Sequence, residues 1–405
     1  MSGPEPTTAE PNAVTTAPPA ALALADEPVD EIAVDEESGD RTTADDTSTA
    51  DDDESDTHTS TDEADDTDVY RDPSIPTSGG QPGTRAPAPT NVGVPAGYTG
   101  ALGQMDPDTL LFGPLAPLPT ATSGTFPLTG LPGSSAAPAV VVKIDNSSKA
   151  RPQAGLNDAD VVIEEEVESG ITRFAAIFHS TDAVVGPVRS GRTTDLSFLH
   201  SLGRAGLVYS GANSITDTLL RQVDDVANYS AARSGGFWRQ TGRSAPSNLF
   251  ADTADFRSVG SAPPAWFHVG TPTVAGDTVS TVSVQFPSSS ATWTWDGAAW
   301  VRRQNGTAHL TADGSQVSAA NVIVVETPRV ATGMVDSAGS VVPEFVWAGQ
   351  GNAVVFTGGE RYEGVWTRSR LSEPAVFTTA EGEVLNIAPG RTWIEIVEPG
   401  NHSSS

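Results

Sequence analysis

The residues best suited to chemistry are concentrated in one stretch, from Asp145 to Arg192. These 48 residues hold eight acids and five bases among small and turn-forming residues. Charged side chains this dense, beside β-type apolar runs, indicate a site rather than a solvated face. The candidates for ligand binding in and beyond this stretch are Asp145, Lys149, Arg151, Glu164, Glu168, Arg173, Arg189, Arg192 and His309.

Two arginines of this stretch lie just ahead of a predicted helix. Gly191 allows unusual backbone angles between Arg189 and Arg192, and the helix is predicted to begin at Thr193 or Thr194. Free amides at the helix start and two guanidiniums would form a pocket for a carboxylate or phosphate. The alternative is that the two arginines pair with the glutamates of the 161–168 strand as an internal ion network.

A row of glutamates is the second candidate feature. Two strand-type runs flank the Ser-Gly pair at 169–170, which predicts a hairpin with a two-residue turn. In that hairpin Glu164, Glu166 and Glu168 share one face, and Glu166 lies opposite Arg173. Paired carboxylates suit acid–base catalysis, a divalent cation or sugar hydroxyls. A solvated face with a single Glu166–Arg173 bridge is the alternative.

His309 is the best candidate for an acid–base histidine, because it precedes a polar turn from Thr311 to Gly314. A surface histidine is the alternative. The chain has no HExxH, GxSxG, Walker or GxGxxG motif. The lack of a recognised nucleophile arrangement favours binding over catalysis and leaves enzymatic activity open. No cofactor and no metal are expected.

The elements that position these residues follow from apolar periodicity. Strands are predicted at 139–145, 161–168, 171–179 and 206–211, and helices at 193–204 and 213–223. Beyond a linker at 261–266, strands are predicted at 278–286, 292–306, 321–327, 353–359, 363–369 and 392–397. The predicted fold class is therefore α+β, with a mixed α/β domain over 126–260 followed by a β-rich domain over 265–398.

The first hundred residues have a different composition. Residues 1–100 carry 23 Asp/Glu against three arginines, in a chain of net charge −30. Such a segment cannot bury enough apolar surface to offset its ordering entropy. A long disordered acidic tail over 1–100 is therefore predicted, either as an extended tether or as a simple low-complexity extension. Its charge argues against nucleic acid as a partner, since phosphates would be repelled.

Localisation is constrained by what the sequence lacks. There is no cysteine, which excludes disulfides, thiolate zinc sites and a lipobox cysteine in the chain as written. No apolar run reaches the length of about 18 residues that spans a bilayer, and no signal peptide is recognised. Read literally, the chain is cytoplasmic. Membrane association would require an anchor upstream of Met1.

Several motifs carry a family resemblance. They are PLTGLP (127–132), VKIDNSSKARPQAGL (142–156), ADVVIEEEVESGITRF (159–174), VGPVRSGR (185–192) and APGRTWIEIV (388–397). This pattern resembles the YerB-like family, a two-domain family of unknown function described as bacterial lipoproteins. The resemblance implies an extracytoplasmic, membrane-anchored protein of the cell envelope. SAPSNLF (244–250) is similar to a family motif that has His in place of Ser247.

Three functions stay open at this point. The preferred one is a binding module of the cell envelope whose Arg/Glu pocket recognises an anionic or sugar-containing ligand. The second is a hydrolase or transferase acting on an envelope polymer through the glutamate row and His309. The third is a structural or assembly protein whose charges lock the fold. The partner, whether an envelope ligand or a protein, and the oligomeric state are not specified by the sequence.

Overall fold

A computed structural model describes residues 94–113, 116–257, 259–336 and 339–405. The predicted disordered acidic tail lies outside these residues, apart from its last few positions. All described residues belong to one compact unit. The described part is rich in strands and contains few helices. At this coarse level it agrees with the predicted mixture of strands and helices.

The described residues before 260 form eight strands and two α-helices. The strands are β1 (Val140–Asp145), β2 (Val161–Glu166), β3 (Thr172–Phe178), β4 (Val184–Val185), β5 (Gly206–Tyr209), β6 (Ala227–Ser230), β7 (Phe237–Arg239) and β8 (Leu249–Asp252). The helices are α1 (Leu196–Leu199) and α2 (Ser214–Arg221). Short 3-10 turns are formed by Leu102–Gln104, Ser148–Ala150, Glu168–Gly170, Thr193–Asp195, His200–Leu202 and Thr253–Phe256.

The part after residue 260 is built from strands. They are β9 (Asp277–Thr278), β10 (Thr281–Phe286), β11 (Ser289–Trp295), β12 (Trp300–Gln304), β13 (Thr307–Ala308), β14 (Ser318–Ala319), β15 (Asn321–Glu326), β16 (Arg329–Val335), β17 (Val341–Phe345), β18 (Gly349–Thr357), β19 (Glu360–Arg368), β20 (Val376–Thr378), β21 (Thr392–Val397) and β22 (His402–Ser404). The predicted strands of this part are confirmed, including the hairpin of β11 and β12 around Asp296-Gly297.

One 11-stranded sheet runs through both parts of the chain. Its order is β20-β19-β18-β15-β21-β2-β3-β1-β5-β6, with β9 beside β19. The two parts meet where β2 pairs in parallel with β21, Val161 lying opposite Thr392. Strands β1, β2, β5, β6, β15 and β21 all run in one direction, so their carboxyl ends lie at the same edge.

Both faces of this sheet are buried, which explains why its central strands are continuous apolar runs rather than alternating ones. One face packs against α1, α2 and the 3-10 turns, and the core between them includes Leu196, Phe198 and Leu219. The other face packs against a second, six-stranded sheet formed by β10–β14 and β22. Trp293 and Trp393 meet between the two sheets with ring centroids 5.1 Å apart.

The helices are shorter than the sequence predicts. The predicted helix over 193–204 contains a four-residue α-helix between two 3-10 turns, and Gly203 ends it with φ +66°. The predicted helix over 213–223 is confirmed as α2, which Asn213 caps by accepting a hydrogen bond from the Thr216 amide at 2.9 Å.

The β2–β3 hairpin has a different register from the predicted one. A 3-10 turn at Glu168–Gly170 lengthens the connection, and Ser169 adopts a left-handed φ of 59°. Glu166 therefore lies opposite Thr172, and Glu165 lies opposite Arg173. The prediction of a two-residue turn with a Glu166–Arg173 pair was wrong by one residue, which exchanges the cross-strand partners.

Candidate functional site

The charged stretch lies at the carboxyl edge of the large sheet. Asp145 is the last residue of β1, Glu166 is the last residue of β2, and Glu168 belongs to the turn that follows. The carboxyl ends of parallel strands are where open α/β sheets bind their ligands. The position therefore agrees with a site, and the contacts of each side chain determine which residues a ligand could reach.

The predicted row of Glu164, Glu166 and Glu168 does not keep one common environment, because Glu168 lies in the turn after β2 and pairs with Arg192. Glu165 lies on the face opposite to Glu164. Successive side chains of a strand point to opposite faces, and the contacts follow this rule. Glu165 contacts Lys143 on the face that packs against α1, whereas Glu164 contacts Arg302 from the six-stranded sheet. None of these carboxylates lies on a solvated face, because Glu164, Glu165, Glu166 and Glu168 are all buried.

An ion network lies on the α1 side, and we call it the lysine cluster: Lys143, Glu165, Glu168, Arg192 and Asp195. The Lys143 ammonium is 2.5 Å from Glu165 Oε1 and 2.6 Å from Asp195 Oδ1. Burial raises the pKa of Glu165 to about 7, against the opposing effect of Lys143. The cluster consequently holds a carboxyl group that changes its charge near neutral pH.

Arg192, which was predicted to bind an external anion, contacts a carboxylate of the chain itself. Its Nη2 lies 2.6 Å from Glu168 Oε2, and its side chain is only 4% exposed. Its backbone amide donates to Asp195 Oδ2 at 2.8 Å. Carboxylates of the chain itself thus contact both the guanidinium and the amide. Arg173 is also buried and donates to the Ser190 carbonyl at 3.3 Å.

A second network lies between the two sheets, and we call it the arginine cluster: Asn146, Gln153, Glu164, Arg302, Gln304, His309 and Glu395. Arg302 Nη2 is 2.5 Å from Glu164 Oε2, and its Nη1 is 2.7 Å from Gln304 Oε1. The guanidinium also lies over the ring of Trp393, with Cζ 5.1 Å from the centroid. Charge pairing and aromatic contact together hold this cation in the interior.

His309 is a buried member of the arginine cluster, so neither a surface position nor an exposed catalytic one fits the structure. It is 2% exposed. Because Arg302 can only donate, Nδ1 of His309 accepts from Arg302 at 2.6 Å and Nε2 donates to Gln153 Oε1 at 2.8 Å. Burial and the charge of Arg302 hold its pKa well below the ordinary value. The imidazole is therefore neutral and engaged at both nitrogens.

Glu395 was missed by the sequence reasoning. It lies beside Glu164 in the parallel β2–β21 pair and accepts a hydrogen bond from Trp293 Nε1 at 2.8 Å. Burial and the negative charge of Glu164 raise its pKa well above the ordinary value, which favours its protonated form. A single acid within the apolar run TWIEIV was the available signal.

Five basic side chains outside these networks belong to segments that meet near the carboxyl end of β1, and we call them the basic rim: Lys149, Arg151, Arg189, Arg239 and Arg243. Arg189 Nε is 3.7 Å from Asp145 Oδ2, and Ser247 Oγ donates to the same oxygen at 3.2 Å.

Loop contacts join the remaining members of the basic rim. Arg243 donates to the Ala150 carbonyl at 2.9 Å, Arg151 to the Asn146 carbonyl at 2.8 Å, and Arg239 to Asn248 Oδ1 at 2.5 Å. Lys149 is exposed and the four arginines are partly exposed. Sequence reasoning identified Lys149, Arg151 and Arg189 but not Arg239, at the end of β7, or Arg243, in the loop that follows.

Within the described residues, no group of three or more His, Asp or Glu side chains is arranged to hold a metal ion. None of the described helices has the length and apolar character needed to cross a membrane. Both findings concern only the part of the chain that the structure covers.

The fold and its clusters define a mixed-sheet protein in which most of the charged stretch pairs internally. Models of the DUF3048 family, described as proteins of unknown function, match twice: the N-terminal domain at residues 128–263 and the C-terminal domain at residues 282–394. The chain belongs to this family.

Relatives agree with that assignment. The chain is 26% identical over 275 residues to "Putative lipoprotein YerB" of Bacillus subtilis (strain 168), covering 64% of this chain and 80% of the relative. The crystal structure of the Bacillus subtilis YerB protein matches with a TM-score of 0.60 and 25% identity, covering 69% of this chain and 99% of that one. The resemblance to the YerB-like family is confirmed.

Proposed function

We propose that this protein is a non-catalytic binding protein of the cell envelope that recognises an anionic ligand through the basic rim. The main supporting observation is that five cationic side chains belong to segments that meet near the carboxyl end of β1, where Arg189 Nε lies 3.7 Å from Asp145 Oδ2 and Arg243 reaches the Ala150 carbonyl. In a chain of net charge −30, a local excess of cations favours an anionic partner. The ligand class that fits is a polymer bearing phosphate or carboxylate groups.

The buried clusters support this assignment by their contacts. Glu164 and His309 engage Arg302 and Gln153, and a general acid or base must instead reach the proton that it transfers. The Arg192–Glu168 pair is buried as well. These groups stabilise the interior in the proposal, and recognition is assigned to the partly exposed arginines and Lys149. This moves the predicted binding pocket from the Arg/Glu row to the basic rim.

An envelope location is part of the same proposal. It rests on the relative whose name describes a lipoprotein. An anionic envelope polymer would be available to a protein displayed there.

Binding of long-chain inorganic polyphosphate tests the proposal. We expect the double variant Lys149→Ala/Arg239→Ala to bind roughly tenfold more weakly than wild type, since each exposed charge contact contributes up to about 1 kcal/mol. The affinity of wild type should also fall with ionic strength, because exposed charges are screened. Fluorescence anisotropy of labelled polyphosphate measures both effects.

The matched control is Arg204→Ala/Arg221→Ala, which removes two exposed arginines elsewhere on the surface. It should bind polyphosphate within about twofold of wild type if the rim is the site. Equal weakening in both double variants would mean that polyphosphate responds only to net charge, and the proposal would then fail. Unfolding curves of all three proteins establish that each one is folded.

A further inference from the structure

Arg368 is a buried cation outside both clusters and outside the basic rim. It is the last residue of β19, and its side chain is 0% exposed. Its guanidinium stacks on Trp347, with Cζ 4.4 Å from the ring centroid. A cation over an indole face is attracted to the ring electrons, but the ring cannot accept the in-plane hydrogen bonds of the guanidinium.

The N–H groups of Arg368 are left without acceptors. Within the described part of the chain, Nε, Nη1 and Nη2 have no hydrogen-bond partner, and neither has the buried Nε1 of Trp347. Burial alone lowers the pKa of Arg368 to about 9, with no opposing effect from a carboxylate. Arg302 is equally buried but pairs with Glu164, which shows how this fold otherwise treats a buried guanidinium.

Few chemical groups could accept hydrogen bonds from the buried N–H donors of Arg368 and Trp347. An unpaired charge in the interior costs several kcal/mol, and a buried polar group without a partner points to an unseen water or ion. Arginine offers five N–H donors and indole offers one, and neither offers an acceptor. A carboxylate or phosphate oxygen pair is the group that matches such a donor set, because it can accept two parallel bonds from a guanidinium.

One segment next to Arg368 is partly exposed. Gly349 is the cross-strand partner of Arg368, so the two face the same side of the sheet. A Cβ on Gly349 would lie 3.1 Å from Phe112, so that ring packs against the residue paired with Arg368. Phe112 is 41% exposed, and its segment is held by a 2.8 Å bond from the Leu111 amide to the Ser369 carbonyl. Local opening of a short, exposed segment would admit a small ligand.

We propose that Arg368 and Trp347 form an anion-binding site for a single carboxylate or phosphate group, beneath the segment that carries Leu111 and Phe112. The site is independent of the basic rim, because the two lie on different strands and share no residue. A ligand there would be held by the Arg368 fork and the Trp347 Nε1–H. The guanidinium would keep its contact with the indole ring.

Thermal unfolding in different sodium salts tests this site. The full chain is refolded from denaturant into sodium chloride and then titrated with sodium acetate or sodium phosphate at constant ionic strength and pH. We expect a saturable rise in Tm of a few degrees with at least one of these anions, because a ligand that binds only the folded state stabilises it. The anion that acts identifies a carboxylate or a phosphate site.

The variant Arg368→Met separates binding from general salt effects, which act on any folded protein. It should lose the saturable rise, whereas the exposed-residue control Arg204→Met should keep it. Equal rises in wild type and Arg368→Met, or no saturable rise in wild type, would overturn the proposal. If Arg368→Met does not fold, Trp347→Phe replaces it, since this variant keeps an aromatic ring and removes the Nε1 donor. The rise should then be reduced, and an unchanged rise would overturn the proposal.

Discussion

At the scale of single residues, the Arg192–Glu168 pair decides how the charged stretch behaves. Both side chains are buried, with a closest separation of 2.6 Å. Burial favours protonation of Glu168, but the charges of Arg192 and Arg173 outweigh it and hold the pKa of Glu168 below its ordinary value. The pair is therefore ionised in the folded protein, and each partner depends on the other.

Arg192→Ala should destabilise the protein strongly. It leaves the Glu168 carboxylate buried without its closest cation, and such a change typically costs about 3–5 kcal/mol. Urea unfolding followed by circular dichroism measures the difference. Arg204→Ala, which removes a guanidinium 3.9 Å from Asp225 at the surface, should cost no more than about 1 kcal/mol. A loss of similar small size for Arg192→Ala would show that this arginine is not part of the structural framework.

The environment of Glu165 predicts how the free energy of unfolding depends on pH. Its pKa is raised from 4.5 in the unfolded chain to about 7 in the folded protein. Folding thus favours the protonated form, and this contribution to stability is fully present below pH 4.5 and is lost as pH rises through about 7. Between those limits Glu165 should make the wild-type protein progressively less stable relative to Glu165→Gln.

The measurement is the difference in unfolding free energy between Glu165→Gln and wild type at several pH values. Taking a difference is necessary because burial lowers the pKa of His200 to about 4, and His200 therefore adds stability as pH rises. The Glu165→Gln protein retains the His200 contribution and lacks the Glu165 one. A difference that stays constant from pH 4.5 to 7 would contradict the expected titration.

At the scale of elements, the sequence predicts the positions of strands well, but it predicts their pairing partners and register poorly. The apolar runs at 139–145 and 392–397 are confirmed as β1 and β21, because a strand buried on both faces must be apolar throughout. The predicted β2–β3 register was wrong because Ser169 takes a left-handed conformation and the turn becomes longer. No local pattern signals that choice, and one residue of difference changes which glutamate faces Arg173.

The sequence likewise predicts only part of the candidate functional site. The sequence identifies the charged stretch and places Asp145 and the glutamates on or beside strands. It does not identify Arg302, which is 138 residues from Glu164, or Arg243, which is 93 residues from Ala150. Partners this distant become neighbours only through the strand order, and a single sequence carries no signal for it. Alternation along β2 places Glu165 on the face opposite to Glu164, whereas the position of Glu168 depends on the turn that follows the strand.

A glycine within β19 tests how closely its neighbour strand packs. A Cβ on Gly364 would lie 2.3 Å from the Thr378 carbonyl oxygen of the β20 end, and backbone cannot rotate away as a side chain can. Gly364→Ala should therefore destabilise the protein by about 1–3 kcal/mol through overpacking. Gly211→Ala is the matched control, since a Cβ there meets nothing within 4 Å. Equal unfolding midpoints for the two variants would show that β19 and β20 separate without cost.

At the scale of the whole molecule, the two family segments share one sheet and both apolar cores. β2 pairs with β21 across the boundary, and the core on the α1 side joins Leu196 and Leu219 to Ile323 and Ile394. The arginine cluster likewise contains Glu164 from the first segment and Arg302 from the second. Neither segment can bury its apolar face or satisfy its charges without the other.

The described part of the chain should therefore unfold as one cooperative unit. Hydrogen exchange of β3 in the first segment and β18 in the second should report the same opening free energy, because global unfolding exposes both. Seven of the eight tryptophans follow residue 264, so fluorescence reports mainly on the second segment. Its denaturant midpoint should nonetheless coincide with that of circular dichroism, which follows the whole chain.

Fragments provide the sharper form of this prediction. Residues 94–263 and 264–405, expressed separately, should each lack a cooperative unfolding transition, because separation exposes the β2 and β21 edges and divides both cores. Mixed after refolding together, they should associate and recover the spectrum of the intact chain, since the β2–β21 register and the Arg302–Glu164 pair restore the same contacts. A cooperative transition in either fragment alone would show that one segment is a domain in its own right, and that the shared sheet joins two domains rather than creating one.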